Sequence, residues 1–277
     1  MPLPLQNGRM NKNSHRIYAK NGCMQGFQSL RGIAMKNGLT GTDLKRLALF
    51  SMLLDHIGAV FMPSLLLVCP DSCEPLISAV IVGLRFVGRI AMPIYCFLLV
   101  EGFSLTTHLK NYILSIGCFA LLSEIPFNLA VYGTCFHLSL GNVFFTLLFG
   151  LLFMAGDMAI FQRVKKPTSQ IVLRTLNFTV SGVAAQAVGC DYGIIGIMLI
   201  AAFYCFRTDL PRRNLLAGMI CVLESISFLG AAALSLIPIS LYNGERGTVK
   251  NKYAYYAFYP LHLLLLWALS RLVILLG

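Results

Sequence analysis

Two side chains that can do chemistry stand side by side in a run that otherwise belongs in lipid. Residues 47–62 read LALFSMLLDHIGAVFM, with Asp55 and His56 near the centre. A histidine titrates near neutral pH, so it can take a proton from a reacting partner or carry an acyl group for it. Eleven residues are close to three helical turns. Lys45, Met52 and His56 therefore share one stripe, with His56 about 16 Å above the ammonium. Asp55 points about 100° away from His56. The spacing gives the pair separate jobs: His56 as the reactive group on a stripe that starts at a cation, Asp55 as the residue that holds the helix through an arginine of the 76–106 segment. The plainer alternative is a structural histidine–carboxylate bond between helices.

Other polar residues sit in apolar runs: Arg85, Arg89, Glu101, Glu124, Glu224 and His262, with Asn142 and Asp191 at run ends. An Arg or Asp at the centre of a membrane helix costs roughly 2.5–3.5 kcal/mol, so such residues face the bundle interior. Arg85 and Arg89, spaced i, i+4, share a face, and Glu101 and Glu124 are their expected partners. Either these charges only neutralise one another, or one guanidinium stays free for an anionic ligand group. Asn142 and Thr146 share a helix face, as glue or cavity lining. Asp157 and Glu224 read as structural. Residues 242–247, YNGERG, form a tight turn whose amides and Arg246 can cradle an anion, with Asn243 in the turn and Lys252 just beyond it. His262 follows Tyr259-Pro260, and a second intramembrane histidine makes a cavity role plausible. No HExxH, dense metal cluster, GxSxG or Walker A loop is present, so no metal and no ATP-driven step is expected.

The elements that must position these residues are helices. The 277 residues are 57% hydrophobic and 12% charged, about half the charge of a soluble domain, with a mean hydropathy of +0.74. Apolar runs of helix length predict an all-α, polytopic transmembrane helix bundle of about nine hydrophobic segments. Residues 44–62 form the first. Residues 76–106 exceed one span, and a break at Pro93 is expected. Helices follow at 111–132, 142–161, 172–188 and 192–206. Two short helices hinged near Gly230 fill 214–242, and a last helix covers 253–276. Residues 1–40 are a basic extension without apolar periodicity and 41–277 the membrane domain; Met35 opens a stretch that reads like a natural start. Residues 1–46 carry eight Lys or Arg against one acid, which places the N-terminus in the cytoplasm and accounts for most of the +11 net charge without nucleic acid. No apolar leader precedes residue 47.

Read in order, LKRLALFSMLLDHIGAVF, LRFVGRIAMPIYCFLLVEGF, LLSEIPFNLAV, GNVFFTLLFGLL, DYGIIGI, LYNGERG and FYPLHLLLL resemble the TraX family over about 39–270. The family is named for a conjugative-plasmid protein that N-acetylates the amino terminus of pilin. The resemblance implies a multi-pass acetyltransferase of a bacterial plasma membrane, with acetyl-CoA as donor and a protein N-terminus, a sugar or a small molecule as acceptor. It implies His56 as the catalytic histidine, with Asp55, Arg85, Arg89, Glu101 and Glu124 in support. Lys45, Arg85, Asn142, Asn243, Arg246, Lys252 and His262 are the candidates for binding the donor. The rival expectation is a proton-coupled transporter or flippase that uses the same buried charges.

Overall fold

A computed structural model describes residues 38–248 and 252–277. Most of the expected extension and the Lys252 side chain lie outside the described residues. The helices are α1 Gly41–Leu66, α2 Glu74–Gly88, α3 Ala91–Leu105, α4 Leu109–Tyr132, α5 Val143–Arg163, α6 Pro167–Ala187, α7 Gly193–Cys205, α8 Leu210–Glu224, α9 Leu236–Ser240 and α10 Lys252–Leu276. Among the described residues, five stretches are long and apolar enough to cross a membrane: α1, Asp71–Leu105, α4, α5 and Tyr253–Leu276 within α10. Leu76, Leu121, Leu215 and Leu265 are exposed on its outside, as lipid-facing residues are. The chain is a multi-pass helical membrane bundle, and the expected count of nine is approximate.

Packing closes a ring. Helices α1, α3, α7, α5, α4 and α10 touch in that order, and α10 touches α1 again. Outside it, α2 packs on α1, α6 on α5 and α7, and α8 on α7. The first and last helices run parallel: Lys45 lies over Tyr255, His56 meets His262, and Ser270 donates to the Val60 carbonyl. One end of the bundle is basic. It carries Lys45, Arg46, Lys110, Arg163, Lys165, Lys166, Arg207, Arg212, Arg213 and Arg246, whereas Arg271 is the cation towards the far end among the described residues. At the basic end Thr40 caps α1 in a capping box with Asp43. The 242–247 turn is laced to this start. Asn243 N donates to the Leu39 carbonyl at 2.9 Å, Gly41 N to Glu245 at 2.8 Å, and the Thr42 hydroxyl to Arg246 at 3.0 Å.

Three irregular stretches meet at mid-depth. Directly after His56, residues Ile57–Phe61 form a π-helical segment inside α1, a feature that often marks functional sites. Between α2 and α3 the break falls at Arg89–Ile90 rather than at Pro93. Proline clashes with the carbonyl four residues earlier, which here is Arg89, while Pro93 itself sits comfortably in the first turn of α3. The third is the tip of the α8–α9 hairpin, where Leu229 and Gly230 adopt left-handed φ values of 53° and 75°. Ser225 stitches the tip: its hydroxyl accepts from Ala232 N at 3.0 Å and donates to the Cys221 carbonyl at 2.7 Å. Such backbone is tolerated at membrane depth only where protein satisfies its polar groups.

Helices α1 and α2 approach closely. Ser51 donates to the Val87 carbonyl at 2.6 Å, and a Cβ on Gly88 would lie 2.3 Å from Asp55. Gly88→Ala is therefore expected to lower the detergent-solubilised melting temperature, a loss of about 1–3 kcal/mol from overpacking. Gly83→Ala, with nothing within 4 Å of its added methyl, is the control and should melt as the wild type does.

Candidate active site

Helical geometry sends Asp55 and His56 to different neighbours. Asp55 turns to α2, where Arg85 Nη1 donates to Oδ2 at 2.7 Å and Arg89 Nη2 to Oδ1 at 3.0 Å. Arg89 Nη1 also donates to Glu224 Oε1 at 3.3 Å, at the hairpin tip. The Phe228 ring lies 5.2 Å from the Arg89 guanidinium and 6.0 Å from that of Arg85, within cation–π range. Two acids and two bases thus close on themselves. The expected pairing of Arg85 and Arg89 with Glu101 and Glu124 is not what the structure has: both arginines pair with Asp55, and Arg89 Nε is buried without a described partner. The reason is the break at Arg89. Glu101 lies twelve residues further on, about 18 Å along α3, where it takes a two-pronged pair from Arg207 at 2.7 and 3.1 Å.

His56 turns the other way, to α10. Its Nδ1 lies 2.7 Å from His262 Nε2, and His262 Nδ1 lies 2.7 Å from the Phe258 carbonyl. A carbonyl only accepts, so His262 Nδ1 carries the proton and its Nε2 is the acceptor in the neutral ring. His56 Nδ1 must then be the donor, which leaves the lone pair of a neutral His56 on Nε2. No described residue bonds that nitrogen. Tyr259 stands edge-on to both imidazoles at 5.8 Å, and Phe258 stacks on His262 at 4.9 Å. Among the described residues this is a carbonyl–His–His relay that ends in a basic nitrogen with no partner.

The same level of the bundle holds other polar groups. Asn142 caps α5 by accepting from Phe144 N at 3.1 Å, and its amide donates to Glu124 and to the Ala120 carbonyl. Its polar atoms are spent on joining α4 to α5. Glu124 also accepts from Asn128 at 3.4 Å. Tyr192 N lies 3.5 Å from the Thr146 hydroxyl. Asp191, beside it in the turn between α6 and α7 and outside both helices, is exposed. Arg89, Asp55, Arg85 and Glu224 are within electrostatic reach of it.

The remaining candidates stand at the basic end. Lys45 and Arg246 are within electrostatic reach of each other, and no described carboxylate is within ion-pair distance of either. Asn243 is used inside its turn, accepting from Glu245 N at 2.9 Å and donating to the Gly38 carbonyl at 3.3 Å. Arg213, absent from the sequence candidates, is buried over the Phe97 ring at 5.5 Å. The structure thus divides the candidates into three groups: Asp55, His56, Arg85, Arg89 and His262 at mid-depth, Glu124 and Asn142 on the α4–α5 side of that level, and Lys45, Glu101, Asn243 and Arg246 at the basic end. Tyr259, Asp191 and Asn128 stand near these groups although the sequence did not offer them as candidates. Asp191 showed as a polar group at a run end, whereas Tyr259 and Asn128 carry no signal that sets them apart from ordinary helix residues.

The family described as TraX protein matches residues 40–270 of the chain. A curated protein of Dichelobacter nodosus, named probable fimbrial assembly protein FimC, serogroup H1, is 28% identical over 251 residues, covering 81% of this chain and 93% of that protein. No solved structure matches.

Removing the shared acceptor of two arginines should be the most damaging change at mid-depth. Asp55→Asn leaves two cations with one carboxylate in a largely buried cluster, and losing one partner of such a pair costs about 3–5 kcal/mol. The double variant Asp55→Asn, Arg85→Gln should recover part of that loss in a thermal-shift measurement. Equal melting temperatures for wild type and Asp55→Asn would contradict the cluster.

Proposed function

The chain belongs to the TraX family, and from that premise we propose that it is a membrane-embedded acetyltransferase in which His56 is the general base. The observation that carries this reading is the relay from the Phe258 carbonyl through His262 to His56, which leaves His56 Nε2 as an unoccupied base in a layer of fixed charges. An acceptor amine or hydroxyl attacks the acetyl carbonyl carbon of a thioester, Nε2 takes the acceptor proton, and the carbon–sulfur bond breaks. The proton then passes from the imidazolium to the departing thiolate, so the base is regenerated. The Phe258 carbonyl, acting through His262, keeps the rings oriented and favours the transient positive charge, as the acid of a catalytic triad does.

The expected donor is acetyl-CoA, and the residues present fit it. Lys45 and Arg246 are cations without a described acidic partner, grouped at the end from which α1 climbs about 16 Å to His56. They would hold the phosphates while the thioester reaches the dyad. By the positive-inside rule that end faces the cytoplasm of a bacterial plasma membrane, which puts the N-terminus and the donor on the same side. The name of the Dichelobacter relative, a fimbrial assembly protein, favours the terminus of a fimbrial subunit as acceptor.

Radiolabelled acetyl-CoA supplied to proteoliposomes tests the chemistry. His56→Ala is expected to lose about 10²–10⁴-fold in turnover, the usual contribution of a positioned base. His262→Gln should lose less and shift the pH profile, because it disturbs the tautomer rather than removing the base. Full turnover by His56→Ala would remove this residue from the mechanism, and substrate flux with no acetyl turnover would favour the transporter. The donor's seat has a separate readout. Lys45→Ala with Arg246→Ala should raise KM for acetyl-CoA about tenfold or more and leave KM for acetyl-pantetheine, which lacks the nucleotide phosphates, unchanged.

A further inference from the structure

Three helices meet around an open groove at the end of the bundle opposite the basic one. Val60, Ser64 and Leu67 line it from α1, Leu129 from α4, and Trp267 and Arg271 from α10. Residues three, four and seven apart fall on one side of a helix. The α1 and α10 walls are therefore each a single stripe, and the groove runs about 10 Å along them. Its volume is about 310 Å³, at the small end of the roughly 300–1,000 Å³ of ligand pockets. A helix with its side chains is about 10–12 Å across. The groove suits a thin apolar chain better than a helix.

Its polar atoms divide into used and unused. Ser64 donates to the Phe61 carbonyl at 2.7 Å, and Ser270 meets the carbonyls of Val60 and Leu266 at 3.1 and 2.8 Å. Trp267 and Arg271 have no hydrogen bond or ion pair among the described residues. No carboxylate lines the groove. One guanidinium and one indole N–H are left as donors without an acceptor. Arg271 is exposed. It lies about 24 Å along α10 from Tyr255, which is level with Lys45. The hydrocarbon core is about 30 Å thick, so Arg271, and Trp267 one turn below it, stand near the far boundary. There an arginine stem lies along apolar surface while its head reaches the headgroups, and an indole ring sits at the same level.

We propose that this groove seats one phospholipid with an anionic headgroup, drawn from the leaflet at this end. Its phosphate accepts from Arg271 and Trp267, and one acyl chain lies against Val60, Leu67 and Leu129. An anionic lipid is favoured over a zwitterionic one because the site offers a guanidinium and no carboxylate for a headgroup's own cation. The inference is independent of the acetyl-transfer reading. The seat also touches the irregular part of α1. Val60 belongs to the π segment that follows His56, and Ser270 of the facing wall donates to its carbonyl. A chain in the groove packs on that segment and braces the wide turn next to His56.

The protein holds a single tryptophan, and it lines the groove, so its fluorescence reports the occupant directly. The full-length chain is placed in nanodiscs that mix phosphatidylcholine with phosphatidylglycerol, with bromine on the acyl chains of one lipid or the other. Brominated phosphatidylglycerol should quench Trp267 with a relative binding constant about fivefold above that of brominated phosphatidylcholine, the contribution of one cation at an anionic surface. Arg271→Gln should bring that ratio to about one, and Arg271→Lys should keep most of it. Arg271→Gln breaks no described hydrogen bond or ion pair, so its melting temperature should match the wild type, which separates loss of the lipid from loss of the fold. Ala130→Leu, which narrows the groove and leaves the cation in place, should weaken quenching by both lipids. Amide exchange at 57–61 should slow when phosphatidylglycerol is added to wild type and not to Arg271→Gln. Equal quenching of wild type by the two lipids, as when a second copy or another protein's helix covers the groove, overturns the proposal. A preference that survives Arg271→Gln, or undiminished quenching in Ala130→Leu, overturns it as well, and equal exchange in the two membranes overturns the brace.

Discussion

Asp55 is the point on which the rest of the structure depends. One carboxylate on α1 accepts from two arginines of the α2 segment, and one of those continues to Glu224 on the hairpin. Each of these charges would cost about 3 kcal/mol alone at the centre of a membrane helix. Together they are neutral, and Phe228 closes over the guanidinium faces. A buried cluster of this kind is a poor source of net stability, because desolvation offsets much of the attraction. Its value here is positional. It ties α1, the α2–α3 break and the hairpin tip, elements separated by up to 169 residues of sequence, to one height in the bundle.

That height is where the proposed chemistry sits. With Asp55 locked against α2, the next residue on α1 is turned about 100° and must face α10. There His262 is waiting, its ring already oriented by the carbonyl one turn back. The π segment begins at the next residue after His56. A wider turn at that point lets α1 satisfy both neighbours, which a regular helix held rigidly on two sides does less easily. The same lock explains why a glycine is needed at position 88: the two helices meet where any side chain would enter the space of Asp55.

Much of this was legible in the sequence, and what was not follows a physical pattern. Apolar runs located the helices, the stripe from Lys45 to His56 was visible from spacing, and the turn of Asp55 towards an arginine of 76–106 followed from the 100° step. Gly230 announced the hairpin. The identities of partners were the weak point. Assigning Glu101 to Arg85 or Arg89 requires knowing where the long segment breaks, and the break falls at the carbonyl that Pro93 disturbs rather than at Pro93 itself. The contact between His56 and His262 spans 206 residues, and nothing local in either helix encodes it. The π segment has no residue signature either, since IGAVF reads as ordinary helix.

The order of the ring also answers why a transferase would place its base so deep. Thioesters and nucleophilic amines both react with water or protons when left in the open, and a base held between helices meets only what the two ends admit. The bundle distinguishes those ends by charge. Lys45 and Arg246, cations without described acids, stand where α1 and α10 begin, and Asp191, an acid without a described ion pair, stands where α6 and α7 turn. The Asp55 cluster is itself neutral, so it adds to neither field but fixes the frame in which both act. A charge-neutral clamp is the arrangement that lets an electrostatic gradient run from one end of a membrane protein to the other without pulling its own helices apart.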